Sequence, residues 1–172
     1  MNWLNLFSAT RFGVSKSVPL AQTRSRFEQD YDRIIFSHPF RKLQDKTQVF
    51  PMPEDDFVHS RLTHSLEVAS VGRSLAKEVG KIMLSKNEVL RASGIKYQDF
   101  GDVVSAACLA HDLGNPPFGH SGEQSISSFF LNTEAGQFFE SMVKPTEWSD
   151  LINFEGNAQG FRILTNPNQG GL

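Results

Sequence analysis

The stretch Asp102-Val103-Val104-Ser105-Ala106-Ala107-Cys108-Leu109-Ala110-His111-Asp112-Leu113-Gly114-Asn115-Pro116-Pro117-Phe118-Gly119-His120-Ser121-Gly122-Glu123 decides how the chain is read. Asp102 to Leu113 is apolar nearly all round, the pattern of a central core helix. Gly114 to Gly119, rich in glycine and proline, breaks that helix. Beyond the break, Ser121-x-x-Gln124 has capping-box spacing and predicts another helix carrying Ile126, Phe129 and Phe130. From His111 to Glu123 the run also holds two imidazoles, two carboxylates and an amide. One end can hold a metal and the other can deliver a proton.

Working outward, Ser60 to Ile82 has strong helical periodicity. Leu62, Leu66, Ala69, Ala76 and Val79 form one apolar stripe, and Val68, Val71 and Leu75 a second, which predicts burial over a wide face. His64 shares the second stripe and is expected to point inward. Nearer the start, Ser25-Arg26-Phe27-Glu28 has capping-box spacing. Phe27, Tyr31 and Ile34 follow at helical intervals, and Pro39 ends or kinks that helix before a short turn at Phe40 and Leu43. Thr47 to Phe50 is expected to be extended, Pro51-Met52-Pro53 prevents a helix, and Glu54-Asp55-Asp56 reads as a solvated loop. Residues 85–100 read as a connection with one short helix. Glu134 to Val143 is expected to be helical with Phe138, Phe139 and Met142 inward, and Phe154 to Leu164 to be a further helix. The fold class is mainly α.

The chain has 172 residues with 39% hydrophobic and 21% charged content, enough for one domain with a real core. A net charge of −2 gives no global electrostatic argument for nucleic acid or membrane. Fifteen phenylalanines indicate more apolar contact than an isolated domain of this size needs. The single Cys108 excludes an internal disulfide and reads as a small buried thiol. Met1 to Phe7 lacks a basic, apolar leader pattern, and no apolar run approaches the ~20 residues of a membrane span. A cytoplasmic location without membrane partners is the default expectation. Residues 11–26 are basic and acid-free, which fits a solvated arm or a strand of phosphate or nucleic-acid contacts.

Neutral imidazoles with carboxylates suit a first-row divalent ion better than calcium. The pair His111-Asp112 proves little alone, since composition predicts roughly 0.3 such pairs by chance. The second group strengthens the case. His120 and Glu123 lie three apart at an expected helix start, so the carboxylate can orient the imidazole. The turn between the groups can fold that pair back over the ion. Arg61, three residues before His64, shares its face and can bind a phosphate oxygen. Glu67, three residues after it, can accept a hydrogen bond from the His64 ring or is an exposed helix residue.

His64 with His111-Asp112 resembles the HD superfamily of metal-dependent phosphohydrolases. The runs Arg24 to Phe36, Phe40 to Pro51, His59 to Val68, His111 to Glu123 and Asn153 to Gln159 resemble the bacterial dGTP triphosphohydrolases. The similarity extends from about residue 11 to the end. It implies an HD-domain helical fold that is incomplete at the C-terminus, with residues 1–23 as an N-terminal arm and 24–172 as the N-terminal part of the HD domain. The implied reaction cleaves a dNTP, typically dGTP, at the α-phosphorus to deoxynucleoside and triphosphate. His64, His111 and Asp112 would bind a divalent ion (Mn, Mg, Ni, Co, Fe or Zn). His120 would protonate the leaving 5′-oxygen and Glu123 would orient it. Gln48 and Val49 would sense the deoxyribose, Arg61 would hold the α-phosphate, and Asn115 and Asn157 would contact phosphate or the 5′-oxygen. The family also implies a homo-oligomer, and the basic arm permits single-stranded DNA binding.

One departure stands out. HD enzymes complete the metal site with an aspartate on a later helix, and Asp150, the only aspartate after Asp112, has no matching context. Two alternatives therefore stay open. One is another HD phosphohydrolase that releases phosphate from nucleoside monophosphates. The other is a non-catalytic nucleotide-binding or regulatory module.

Overall fold

The computed structural model describes residues 2–10, 24–46 and 60–166. The expectations for residues 11–23, the extended Thr47 to Phe50, the acidic loop, and the sugar-sensing pair Gln48 and Val49 lie outside the described residues. Within them every regular element is helical. In chain order these are α1 (Trp3–Leu6), α2 (Arg26–Phe36), α3 (His38–Arg41), a 3-10 turn (Lys42–Asp45), α4 (Arg61–Lys86), α5 (Glu88–Ala92), α6 (Tyr97–Ala110), α7 (Gly119–Asn132), α8 (Glu134–Phe138), a 3-10 turn (Phe139–Met142), α9 (Pro145–Ile152) and α10 (Gly156–Thr165).

Local chemistry accounts for most boundaries. Ser25 Oγ accepts from the Glu28 amide, as the capping spacing predicts. Ser37 closes α2 and then caps α3, with Pro39 in the first turn of α3, where a missing N–H does no harm. Ser60 caps α4 through the Thr63 amide, and Asn87 caps α5 through Leu90.

The long helix α4 and the core helix α6 form the centre. Ser65, Ala69, Gly72, Ala76 and Gly80 recur at helical spacing on α4 and bring α6 close. A Cβ on Gly80 would lie 2.9 Å from the Phe100 ring, and one on Gly72 2.8 Å from Cys108 Sγ. One core cluster joins Ile34, Phe40, Leu43, Ala69, Ala106, Leu109 and Leu113. A second joins Ala76, Leu90 and Phe100, with Trp3 and Phe7 packed against it.

Four expectations are corrected. The second stripe of α4 is not buried, because Val71 is 61% and Leu75 64% exposed. In the first stripe Ala69 and Ala76 are buried while Leu66 and Val79 are exposed, because α6 covers only the small-residue face. Helix α7 begins at Gly119, not at a Ser121 cap. Its N-cap is Phe118, in the left-handed region with φ of 67° and no side-chain cap bond. Phe138, Phe139 and Met142 face outward, because the short α8 packs on α7 through Gly136, whose missing Cβ lets it touch the Phe129 backbone. Helix α9 was not anticipated; Pro145 at its start and Glu147 returning to the Lys144 amide are its local signals.

Candidate metal centre and proton-transfer pair

Helix α6 delivers its payload at its C-terminal end. His111 is the residue that closes α6, and Asp112 follows in the turn. The carbonyl end of a helix favours a nearby cation. His111 Nδ1 lies 2.6 Å from the Cys108 carbonyl, one turn back. An N–H there donates to the carbonyl, so Nε2 keeps the lone pair that a metal needs. The His64 ring, from the first turns of α4, meets the His111 ring edge-on at 5.3 Å between centroids. One donor atom each from His64, His111 and Asp112 falls within a mutual 4.8 Å.

The Asp112 carboxylate is asymmetric. Oδ1 accepts from Arg61 NH1 at 2.7 Å and from Asn115 Nδ2 at 2.9 Å. Oδ2 is buried and has no hydrogen-bond partner among the described residues. A buried carboxylate oxygen left unpaired is expensive, and a cation is the natural remedy. Arg61 is itself buried, so it is not a surface arginine. Three convergent donors with an orphaned anionic oxygen fit a divalent ion.

The second half of the run forms its own pair. His120 Nδ1 is 2.7 Å from Glu123 Oε2, and the His120 side chain is 92% exposed while that of Glu123 is 13% exposed. Glu123 Oε1 accepts from the Gly156 amide at 2.8 Å. The bond from His120, then that from Gly156, holds the Glu123 carboxyl below its usual value. Phe118, a bulky residue at positive φ, stores backbone strain at the start of α7. That turn sits beside Arg61, whose NH2 is 3.4 Å from where a Cβ on Gly119 would be. Arg61 therefore lies between Asp112 and the start of the helix that carries His120.

The HD domain family model matches residues 61–155, more than half of the chain. The chain belongs to the HD domain family. It is 48% identical over 166 residues to a deoxyguanosinetriphosphate triphosphohydrolase-like protein of Synechocystis, covering 96% of this chain and 37% of that protein. A Pseudomonas aeruginosa protein of the same description is 48% identical over 165 residues, covering 96% of this chain and 36% of its own length. The deoxyguanosinetriphosphate triphosphohydrolase of Klebsiella pneumoniae is 40% identical over 163 residues, covering 80% of this chain and 32% of its own length. The chain thus spans about a third of the length of the curated relatives it matches.

The remaining candidates of this HD domain fall in different places. Asn115 stands in the turn, its amide on Asp112. Asn157 is exposed on α10, and its Nδ2 donates to Glu155 Oε1 at 2.8 Å, within the cap of that helix. Glu67 is exposed. Cys108 is half-buried, and burial pushes its thiol pKa up. Two participants lie in runs that carry the family resemblance, but the sequence alone assigns them no role. The Gly156 amide reaches Glu123 because glycine has no Cβ, which there would strike Asn115 Oδ1. Lys46 Nζ donates to the Asn115 carbonyl at 2.7 Å, and burial, then Arg61, lowers its pKa. An open groove of about 630 Å³ along α7, lined by Ser121, Ser125, Phe129 and Asn132 among others, includes none of the metal-cluster residues.

Proposed function

We propose that the chain contributes the metal-binding and proton-delivery half of a dNTP triphosphohydrolase with dGTP as preferred substrate. The reaction is hydrolysis at the α-phosphorus, giving deoxynucleoside and intact triphosphate. The observation that carries the reading is the orphaned Asp112 Oδ2 among His64 and His111, with the His120–Glu123 pair on the next helix. The similarity to proteins named for dGTP hydrolysis supports the substrate class.

His64, His111 and Asp112 would hold the divalent ion, and a further aspartate outside this set would complete its ligands. When bound, the ion supplies a Lewis acid and lowers the pKa of a bound water. Arg61 holds Asp112 through NH1 and presents its remaining donors to the α-phosphate. Glu123 fixes the His120 ring through Nδ1, so Nε2 is free to protonate the departing 5′-oxygen. Gln48 and Val49 read the deoxyribose, and Asn115 and Asn157 assist at the phosphate. Assembly into a homo-oligomer and binding of single-stranded DNA by the basic arm belong to the same proposal.

Each dNTP is offered with Mn²⁺, and products are identified by phosphorus NMR. Triphosphate is expected, fastest from dGTP, and a chelator stops its release. Pyrophosphate or inorganic phosphate as first product would refute the reading.

A further inference from the structure

The carboxylate at the centre of the site is held by a closed circuit of hydrogen bonds that begins and ends on one residue. The Lys46 carbonyl accepts from the Arg61 amide at 2.9 Å. Arg61 NH1 donates to Asp112 Oδ1 at 2.7 Å, and Asn115 Nδ2 donates to the same oxygen at 2.9 Å. Lys46 Nζ then donates to the Asn115 carbonyl at 2.7 Å. Both side chains that grip Oδ1 are thus tied, at their own backbones, to Lys46. Gripping Oδ1 from two sides leaves Oδ2, 3.6 Å from His111 Nε2, as the one buried carboxylate oxygen without a hydrogen-bond partner among the described residues.

We propose that Lys46 is a positioning residue of this site, whose ammonium fixes Asn115 and, with its carbonyl on Arg61, aims Asp112 Oδ2 at the ion. The inference rests on reading His64, His111 and Asp112 as the metal ligands. Lys46 touches no ligand itself. It joins two segments 69 residues apart, the end of the Lys42–Asp45 turn and the turn after α6. Burial is the larger penalty on the Lys46 ammonium and the nearby Arg61 guanidinium the next, with the Asp112 carboxylate partly offsetting them. The anchor on the Asn115 carbonyl is what the charge provides in return. Outer-shell partners of this kind typically change metal affinity about 10–100-fold.

A charge effect and a positioning effect have opposite signs here. Removing a cation near a metal ion tightens its binding, whereas losing the anchor weakens it. The test is a double-mutant cycle on Mn²⁺ affinity of the whole chain by titration calorimetry, using the parent, Lys46→Met, Asn115→Ala and the double variant. Metal-free melting confirms the fold of each. Lys46→Met is expected to weaken Mn²⁺ binding about 10-fold. In the Asn115→Ala background the same change should add no more than about twofold, because the two act in one circuit. Equal or tighter binding by Lys46→Met overturns the inference, and so does an equal loss in both backgrounds. Should Lys46→Met fail to fold, Lys46→Arg keeps the charge, moves the donor, and is carried through the same cycle under the same criteria. A parent chain that takes up no Mn²⁺ overturns both this inference and the reading of the site. A protein that also carries the completing aspartate, binds Mn²⁺ and releases no triphosphate overturns the proposed function alone.

Discussion

At the scale of single residues, the run from His111 to Glu123 divides its labour at the turn. Upstream, the helix end and the Cys108 carbonyl select the His111 nitrogen that faces the cluster. Downstream, Glu123 holds one His120 nitrogen and leaves the other outward. His120→Ala should lower turnover about 10²–10⁴-fold with Mn²⁺ affinity unchanged, as steady-state kinetics and calorimetry together would show. Loss of Mn²⁺ binding in that variant would make His120 a ligand instead. Glu123 has its own pH signature. Its folded pKa lies below the ordinary value of 4.5, chiefly through His120 and then the Gly156 amide. The stabilisation is therefore full above that value and fades as pH falls through the lower folded one. Urea melts of the parent and Glu123→Gln should show a stability gap at neutral pH that closes in acid. A gap that widens in acid contradicts the assignment.

At the scale of elements, α4 has two apolar faces with different fates. The face of Ala69, Gly72, Ala76 and Gly80 is pressed onto α6, whereas Val71, Leu75, Val79 and Ile82 are exposed. Gly80→Val should lower stability by about 1–3 kcal/mol, since the new side chain strikes the buried Phe100 ring. Leu75→Lys on the other face should change it by no more than about 0.5 kcal/mol. Thermal melts of the pair test the assignment of faces, and equal losses would overturn it. The helix was legible from its periodicity, and its start from Ser60. Which stripe is buried was not, because both stripes satisfy the same period and only the position of α6 selects between them. The same holds at α7, where Ser121 offered a plausible cap. The strained Phe118–Gly119 turn starts the helix three residues earlier, beside Arg61.

At the scale of the whole molecule, the candidate site is a meeting of distant segments. His64 comes from α4, His111 and Asp112 from the end of α6, and Gly156 of α10 seats against Asn115 and Glu123. Gly114 permits that seating, for it has φ of 89° and a Cβ there would strike the backbones of Gly156 and Gly160. An ion bound only by the folded chain stabilises it by about 2.7 kcal/mol at a hundredfold excess over Kd. Mn²⁺ should therefore raise the melting temperature of the parent and have much less effect on His64→Ala; equal shifts in both would remove His64 from the ligand set. The sequence by itself determined the helical class, the starts of α2, α4 and α8 and the residues with the chemistry of a metal site, because caps and periodicity act over a few neighbouring positions. Only the tertiary structure decided which oxygen of Asp112 is free, which face of α4 is covered, and that Lys46 and Gly156 belong to the site. Those facts depend on which donors a fold brings together across tens of residues, and no local spacing records them.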